Sequence, residues 1–140
     1  MTDKATLLNE YWTDIYFHLH YVHKEKISHQ MVRILQLIDK KEETAVKQIA
    51  SFLQVSPNTA SEHVKRMIEK DYIHKRRDAL DERKVILCLT ELGAEILHRN
   101  TSLDKEKLEQ VWNGLNANEK ILIEESLKLF SKKAKQCTSS

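Results

Sequence analysis

The run Ser56-Pro57-Asn58-Thr59-Ala60-Ser61-Glu62-His63-Val64-Lys65-Arg66 constrains the fold more than any other stretch of the chain. Ser56 can cap a helix, because its hydroxyl accepts from the free N–H groups of a first helical turn. Pro57 then falls at the first helical position, where its missing N–H costs nothing and its φ is already set. Behind this start Ala60, Val64, Met67 and Ile68 recur at helical spacing and make one buried stripe. The opposite face carries Asn58, Thr59, Ser61, Glu62, Lys65 and Arg66. A helix of this kind, over about residues 56–70, suits the DNA major groove, with its first two turns toward base edges and its cations toward phosphate.

The flanking segments narrow the reading. Upstream, Thr44 to Leu53 predicts a second short amphipathic helix, with Val46, Ile49, Ala50 and Leu53 facing inward. A tight connection, Gln54-Val55, leads to Ser56, and two short helices joined in this way form a helix-turn-helix. Downstream, Tyr72 to Arg77 and Lys84 to Leu89 predict two strands, a wing over about residues 72–89. Asp78-Ala79-Leu80-Asp81-Glu82-Arg83 forms its polar tip. The fold class expected is mainly α with a small β-wing: a winged helix-turn-helix lobe with additional helices at both ends.

With these elements in place, the sequence resembles the MarR-type transcriptional regulators. The resemblance rests on the helix-turn-helix, Lys75-Arg76-Arg77-Asp78, Asp81-Glu82-Arg83 and Leu89-Thr90-Glu91-Leu92-Gly93. Asp81 and Arg83 match the family's Asp-x-Arg wing motif, and Leu89, Thr90 and Gly93 match its Leu-Thr-x-x-Gly helix start. By motif it covers roughly residues 28 to 98, and the rest by helix layout. Asp71 stands where the family usually has Gly; Asp tolerates the left-handed conformation better than most residues. The resemblance implies that Arg83 enters a minor groove, held by Asp81, with Lys75 or Arg77 on phosphate. It also implies intertwined terminal helices.

Formal net charge is only +2, yet Lys65 to Lys84 holds eight Lys or Arg against five Asp or Glu. A basic patch on a nearly neutral chain fits phosphate contacts confined to one face. No run of about eighteen apolar residues exists, so no membrane span is expected, and no signal-peptide core follows Met1-Thr2-Asp3-Lys4. Cys88 and Cys137 are too few for a disulfide framework. A cytoplasmic protein is expected.

Residues 6–24 predict a first helix with Leu8, Tyr11, Trp12, Ile15, Leu19 and Val22 on one stripe. Ser28 caps a second, with Met31, Ile34, Leu35 and Ile38 inward. Past the wing, Thr90 begins one long helix running to Trp112, which Gly114 is placed to end in the left-handed conformation. Asn116 and Glu119 form a capping box for a last helix carrying Leu122, Ile123, Leu127 and Phe130. The organisation expected is residues 1–27 for dimerisation, 28–92 for DNA binding, 93–136 for dimerisation and 137–140 as a frayed tail. A two-fold dimer would set two recognition helices about 34–36 Å apart, on an inverted repeat.

The candidate DNA-binding residues are therefore Ser56, Asn58, Thr59, Ser61, Glu62, Lys65, Arg66, Lys75, Arg77, Asp81 and Arg83. Asn reads adenine, Glu accepts from cytosine and Lys donates to guanine. The bland alternatives are a solvated helix face and a surface Asp–Arg pair worth little. Tyr11, Trp12 and Tyr16 (with Phe17) are candidates for lining a small-molecule effector pocket, or are ordinary core. His18, His20 and His23 diverge around the helix, and two ligands on one face do not make a zinc site, so no metal is expected. Cys88, between apolar neighbours, reads as a small hydrophobe. Some MarR-like regulators sense oxidants through a first-helix Cys, and this first helix has none. No Gly-rich phosphate loop, nucleophile elbow or paired carboxylates point to an enzyme, and no cofactor is expected. The function expected is a homodimeric, sequence-specific repressor, ligand-responsive through a shift in recognition-helix spacing. The alternative is a winged-helix protein-interaction module without sequence-specific DNA binding.

Overall fold

The computed structural model describes residues 3–22, 26–41 and 43–138. Among the described residues seven helices and two strands follow in the order α1 (Lys4–Leu19), α2 (His29–Lys40), α3 (Val46–Leu53), α4 (Pro57–Glu69), β1 (Ile73–Arg77), β2 (Val85–Leu89), α5 (Glu91–Thr101), α6 (Lys105–Asn113) and α7 (Ala117–Thr138). The chain divides into two compact units, Met1–Leu103 and Asp104–Ser140.

The core of the first unit lies between residues 34 and 97 and is built from one face of each lobe element. Ile34, Leu35, Leu37 and Ile38 of α2 meet Ile49 and Ala50 of α3, Ala60, Val64 and Met67 of α4, Ile73 and Leu87 of the wing, and Ile96 and Leu97 of α5. Spacings of three and four residues bring the buried sets of α2 and α4 onto one stripe each, and half-buried Val46 and Leu53 extend Ile49 and Ala50 of α3 in the same way. The strands are antiparallel, Ile73 opposite Leu89 and Arg77 opposite Val85. Upstream of α3 the backbone is extended, not helical as expected from Thr44: Thr44 is buried and its carbonyl accepts from Leu87 N–H at 2.8 Å. That bond occupies a sheet-edge donor, and α3 starts two residues late.

Two non-glycine residues take positive φ, Gln54 (57°) and Asp71 (63°). Gln54 closes the helix-turn-helix turn, and Val55 N–H bonds back to Ala50 O at 3.0 Å. Asp71 turns the chain from α4 into β1, the conformation that its place in the sequence demands. Thr90 ties this turn to α5. Its Oγ1 donates to Asp71 O at 2.6 Å and accepts from Gly93 N–H at 2.9 Å, while its own N–H reaches Tyr72 O at 3.1 Å. Gly93 closes so tightly that an added Cβ would lie 1.9 Å from Tyr72 O. The Leu-Thr-x-x-Gly motif is thus a backbone joint between wing and α5.

Three further expectations are corrected. Helix α1 ends at Leu19, not residue 24, because His20 leaves the helix to bridge Leu103 and sets its Nδ1 2.6 Å from Tyr16 O. Val22 consequently lies beyond the helix and is exposed; residues 23–25, His23 included, lie outside the described residues. The helix from Thr90 is not continuous to Trp112. Ser102 is extended, and Asp104 caps a new helix by accepting from Glu106 N–H at 3.0 Å. Gly114 ends α6 in right-handed geometry (φ −83°, ψ −7°), since its N–H is satisfied by Val111 O without a left-handed step.

In the second unit, Asn116 and Glu119 form the expected capping box, each side chain accepting from the other's N–H at 2.9 Å. Helices α1, α6 and α7 bury no residue. Leu8, Tyr11, Trp12 and Ile15 of α1 and Ile121, Leu122, Leu127 and Phe130 of α7 are all exposed.

Gly93→Ala should lower unfolding free energy by at least about 2 kcal/mol, because the clash is with backbone that cannot rotate away. Asp71→Gly should raise it by about 0.5–1 kcal/mol by relieving the left-handed residue. Urea melts of the two variants beside the wild type check both signs.

Candidate nucleic-acid interface

Helix α4 presents the surface that its sequence pattern demands. Ser56 Oγ accepts from Thr59 N–H at 3.1 Å and donates to Thr59 Oγ1 at 2.9 Å, so Thr59 keeps its own hydroxyl hydrogen for an outside acceptor. With Ala60, Val64 and Met67 buried, Asn58, Thr59, Ser61, Glu62, Lys65 and Arg66 are all exposed. They divide between two sides of the helix. Asn58, Thr59, Glu62 and Arg66 border one shallow hollow of about 250 Å³ with His63. Ser61 and Lys65 border a groove of about 570 Å³ whose far wall is His74 and Lys75 of β1 and whose floor is Val46, Val64 and Ile68. Glu62 and Arg66 pair at 3.9 Å across one helical turn.

The wing tip is held by its own hydrogen bonds. Asp78 N–H donates to Lys84 O and Lys84 N–H to Asp81 O, each at 3.0 Å. Arg77 Nη1 donates to Glu82 O at 2.8 Å, so this guanidinium shapes the tip from the strand below it. The Asp81 carboxylate accepts from Arg83 N–H at 3.1 Å and lies 3.9 Å from Arg83 Nε. The Arg83 side chain is otherwise open to solvent, 98% exposed.

Sequence reading missed two features here. The Lys84 ammonium donates to the Glu43 carboxylate, tying the start of β2 to the segment before α3. That hydrogen bond and the charge of Glu43 raise the Lys84 pKa above the ordinary lysine value. Arg76, outside the candidate set, is exposed and donates from Nε to Cys88 Sγ at 3.4 Å. The half-buried Cys88 is therefore an acceptor on the wing, not only an apolar filler. Strand alternation was the available signal, since it sets Arg76 and Cys88 on one face and Lys75 and Arg77 on the other.

Away from this face, Trp12 and Tyr16 of α1 approach at 6.4 Å between ring centres, and Tyr16 stacks on His20 at 4.8 Å. Tyr16 OH donates to Asn100 O at 3.4 Å; Tyr11 and Trp12 are more than half exposed. Among the described residues no three His, Cys, Asp or Glu side chains converge as a metal site. No described helix is long and apolar enough to cross a membrane.

The family model "Transcriptional regulator SarA/Rot" matches residues 18–100, the stretch that contains the whole winged lobe. The chain belongs to the SarA/Rot family of transcriptional regulators. The SarA/Rot family is one of regulators rather than enzymes. No curated protein matched the sequence. Solved structures of similar fold include a transcriptional regulator from Thermotoga maritima (TM-score 0.65, 18% identity, 97% of this chain and 96% of that one). S. aureus MepR bound to ethidium bromide aligns with TM-score 0.62 at 18% identity, over 95% of this chain and 97% of its own. Streptococcus pneumoniae FabT in complex with DNA aligns with TM-score 0.58 at 23% identity, over 96% and 100%. The MarR-type winged helix-turn-helix expected from the sequence is the fold of this SarA/Rot-family regulator.

Replacing Ser56 by Ala should destabilise the chain by about 1 kcal/mol, and by Gly only a few tenths, because Gly also tolerates the cap conformation. Thermal melts read the difference. Glu43→Gln should return Lys84 toward the ordinary lysine pKa, followed by NMR titration of its Nζ. The sign follows from the raised folded-state value: the pair stabilises below the unfolded lysine pKa and is lost as pH rises through the folded one.

Proposed function

We propose that this regulator acts as a homodimer that represses transcription by occupying an inverted repeat, with α4 in the major groove and the wing in the flanking minor groove. The observation that carries the reading is Arg83, held by Asp81 at the tip of a self-bonded wing yet 98% exposed. An arginine aimed outward from a fixed tip suits the negative potential of a narrow minor groove. The exposed polar and cationic side chains of α4 support the same orientation. Asn58, Thr59, Ser61, Glu62 and Lys65 face base edges, and Arg66 and Lys75 face phosphate, with Ser56 fixing the helix start. Arg77 acts through the wing tip it braces at Glu82 O. The similarly folded FabT was captured on DNA, which fits this use of the lobe.

The dimer is inferred from the apolar faces that α1 and α7 leave uncovered, since exposed patches of this kind mark association surfaces. We propose Tyr11, Trp12 and Tyr16 as an effector site; Tyr16 OH meets Asn100 O of α5, and a ligand there would change the setting of the lobe. MepR's ethidium complex is a precedent for a small molecule on this fold.

Selection of genomic fragments by purified protein at fixed salt, beside Arg83→Ala, tests the reading. Wild type should recover an inverted repeat with half-sites about 10–10.5 base pairs apart or a multiple of that spacing. Arg83→Ala should bind it about tenfold more weakly and lower the salt slope by about one. Sedimentation should give twice the chain mass. Sequence-blind binding by both proteins would favour the interaction-module reading instead.

A further inference from the structure

We propose that Leu80 is an apolar wedge that enters the minor groove at the wing tip and bends the bound duplex. This rests on the DNA-bound wing proposed above and assigns to the tip a second contact, chemically unlike that of Arg83.

Leu80 is 97% exposed, more than any other large apolar side chain among the described residues. The remaining exposed apolar residues sit mostly on α1, α6 and α7, beside others of their kind. Leu80 instead stands in a projecting loop of Asp78, Ala79, Asp81, Glu82 and Arg83. A lone surface leucine needs no explanation in general. This one is displayed by a braced turn. Its own N–H is fixed on Asp78 Oδ1 at 3.0 Å, and the loop is closed below it by Asp78 N–H to Lys84 O at 3.0 Å and Arg77 Nη1 to Glu82 O at 2.8 Å. The Asp78 and Asp81 carboxylates both accept backbone N–H groups of the tip, which draws part of their charge inward and away from phosphate.

A branched aliphatic side chain offers no hydrogen bond to base edges and no attraction to phosphate. Its available chemistry at a minor groove is contact with sugars and base faces, the contact that pries a step open and turns the duplex toward the major groove. Flexible pyrimidine–purine steps make that deformation easiest. Operators should therefore carry such a step under each wing, at a position no polar side chain reads.

The test compares wild type, Leu80→Asn, Leu80→Met and Arg83→Ala on one selected operator, reading affinity, salt slope and bend angle by circular-permutation electrophoresis. Asn suits a turn and Leu80 is in no core, so melting temperature should not move. Leu80→Asn is expected to lose roughly three- to tenfold in affinity and at least about 20° of bend, with an unchanged salt slope. Leu80→Met should keep the bend. Arg83→Ala should lower the salt slope. Wild-type affinity and bend in Leu80→Asn would overturn the wedge while leaving the DNA-bound wing intact, whereas no specific binding by wild type would overturn both.

Discussion

The approach of α5 to the turn between α4 and the wing is the constraint on which the rest of the lobe depends. Gly93 lies where any Cβ would strike Tyr72 O, and Thr90 occupies the same joint with three hydrogen bonds to Asp71, Tyr72 and Gly93. The joint holds the chain just after α4 and just before α5. It thereby fixes where β1 leaves α4, and the β1–β2 pairing carries that setting out to the tip. Asp71 takes φ 63° in that joint, its carbonyl accepting from Thr90 Oγ1. Tight backbone packing is a better positional reference than side-chain contact, since it has no rotamers to relax into.

The lobe divides its chemistry by face. Helices α2, α4 and α5 enter the core with three- and four-residue spacing, α3 with the adjacent Ile49 and Ala50, and α4 buries only Ala60, Val64 and Met67 while exposing its six polar candidates. Burying a Val or Met side chain is worth roughly 1.5–3 kcal/mol, whereas the exposed Glu62–Arg66 pair contributes at most about 1 kcal/mol. Position is therefore set by the inner face, and the outer face is left free for the DNA contacts proposed above. The wing repeats the division at smaller scale: Ile73, Ile86 and Leu87 anchor it, while Arg77, Asp78 and Asp81 stiffen the tip through backbone carbonyls and N–H groups rather than through packing.

What was legible in the sequence follows from which interactions are local. The Ser56-Pro57 start, the α4 stripe and the Asn116–Glu119 box are decided within a few residues, and each appears where the pattern places it. Asp71 at positive φ was legible through the glycine it replaces. The break at Ser102–Asp104 was not, because Leu97 and Leu108, eleven residues apart, still fall on one face of a continuous helix; Asp104, a cap-forming residue, was the overlooked sign. The end of α1 depends on His20 meeting Leu103, and the start of α3 on Thr44 meeting Leu87, contacts between segments far apart in the chain. The Glu43–Lys84 and Arg76–Cys88 contacts are of the same long-range kind, so residue type named the cations but not their partners.

The terminal helices raise a different question, because α1 and α7 are sixteen and twenty-two residues long and bury nothing. Helices in water draw most of their stability from packing one apolar face, and propensity alone leaves them marginal. Leu8, Tyr11, Trp12 and Ile15 on one and Ile121, Leu122, Leu127 and Phe130 on the other supply such faces without a cover. On the proposed dimer, folding of these helices and association of two chains become one event. The spacing of the two recognition helices is then decided by surfaces that touch no DNA. A substitution at Trp12 or Phe130 would weaken operator binding by changing that spacing or the fraction of dimer, with the α4 face unaltered. Affinity for an inverted repeat would depend on protein concentration in such a variant, while affinity per half-site would not.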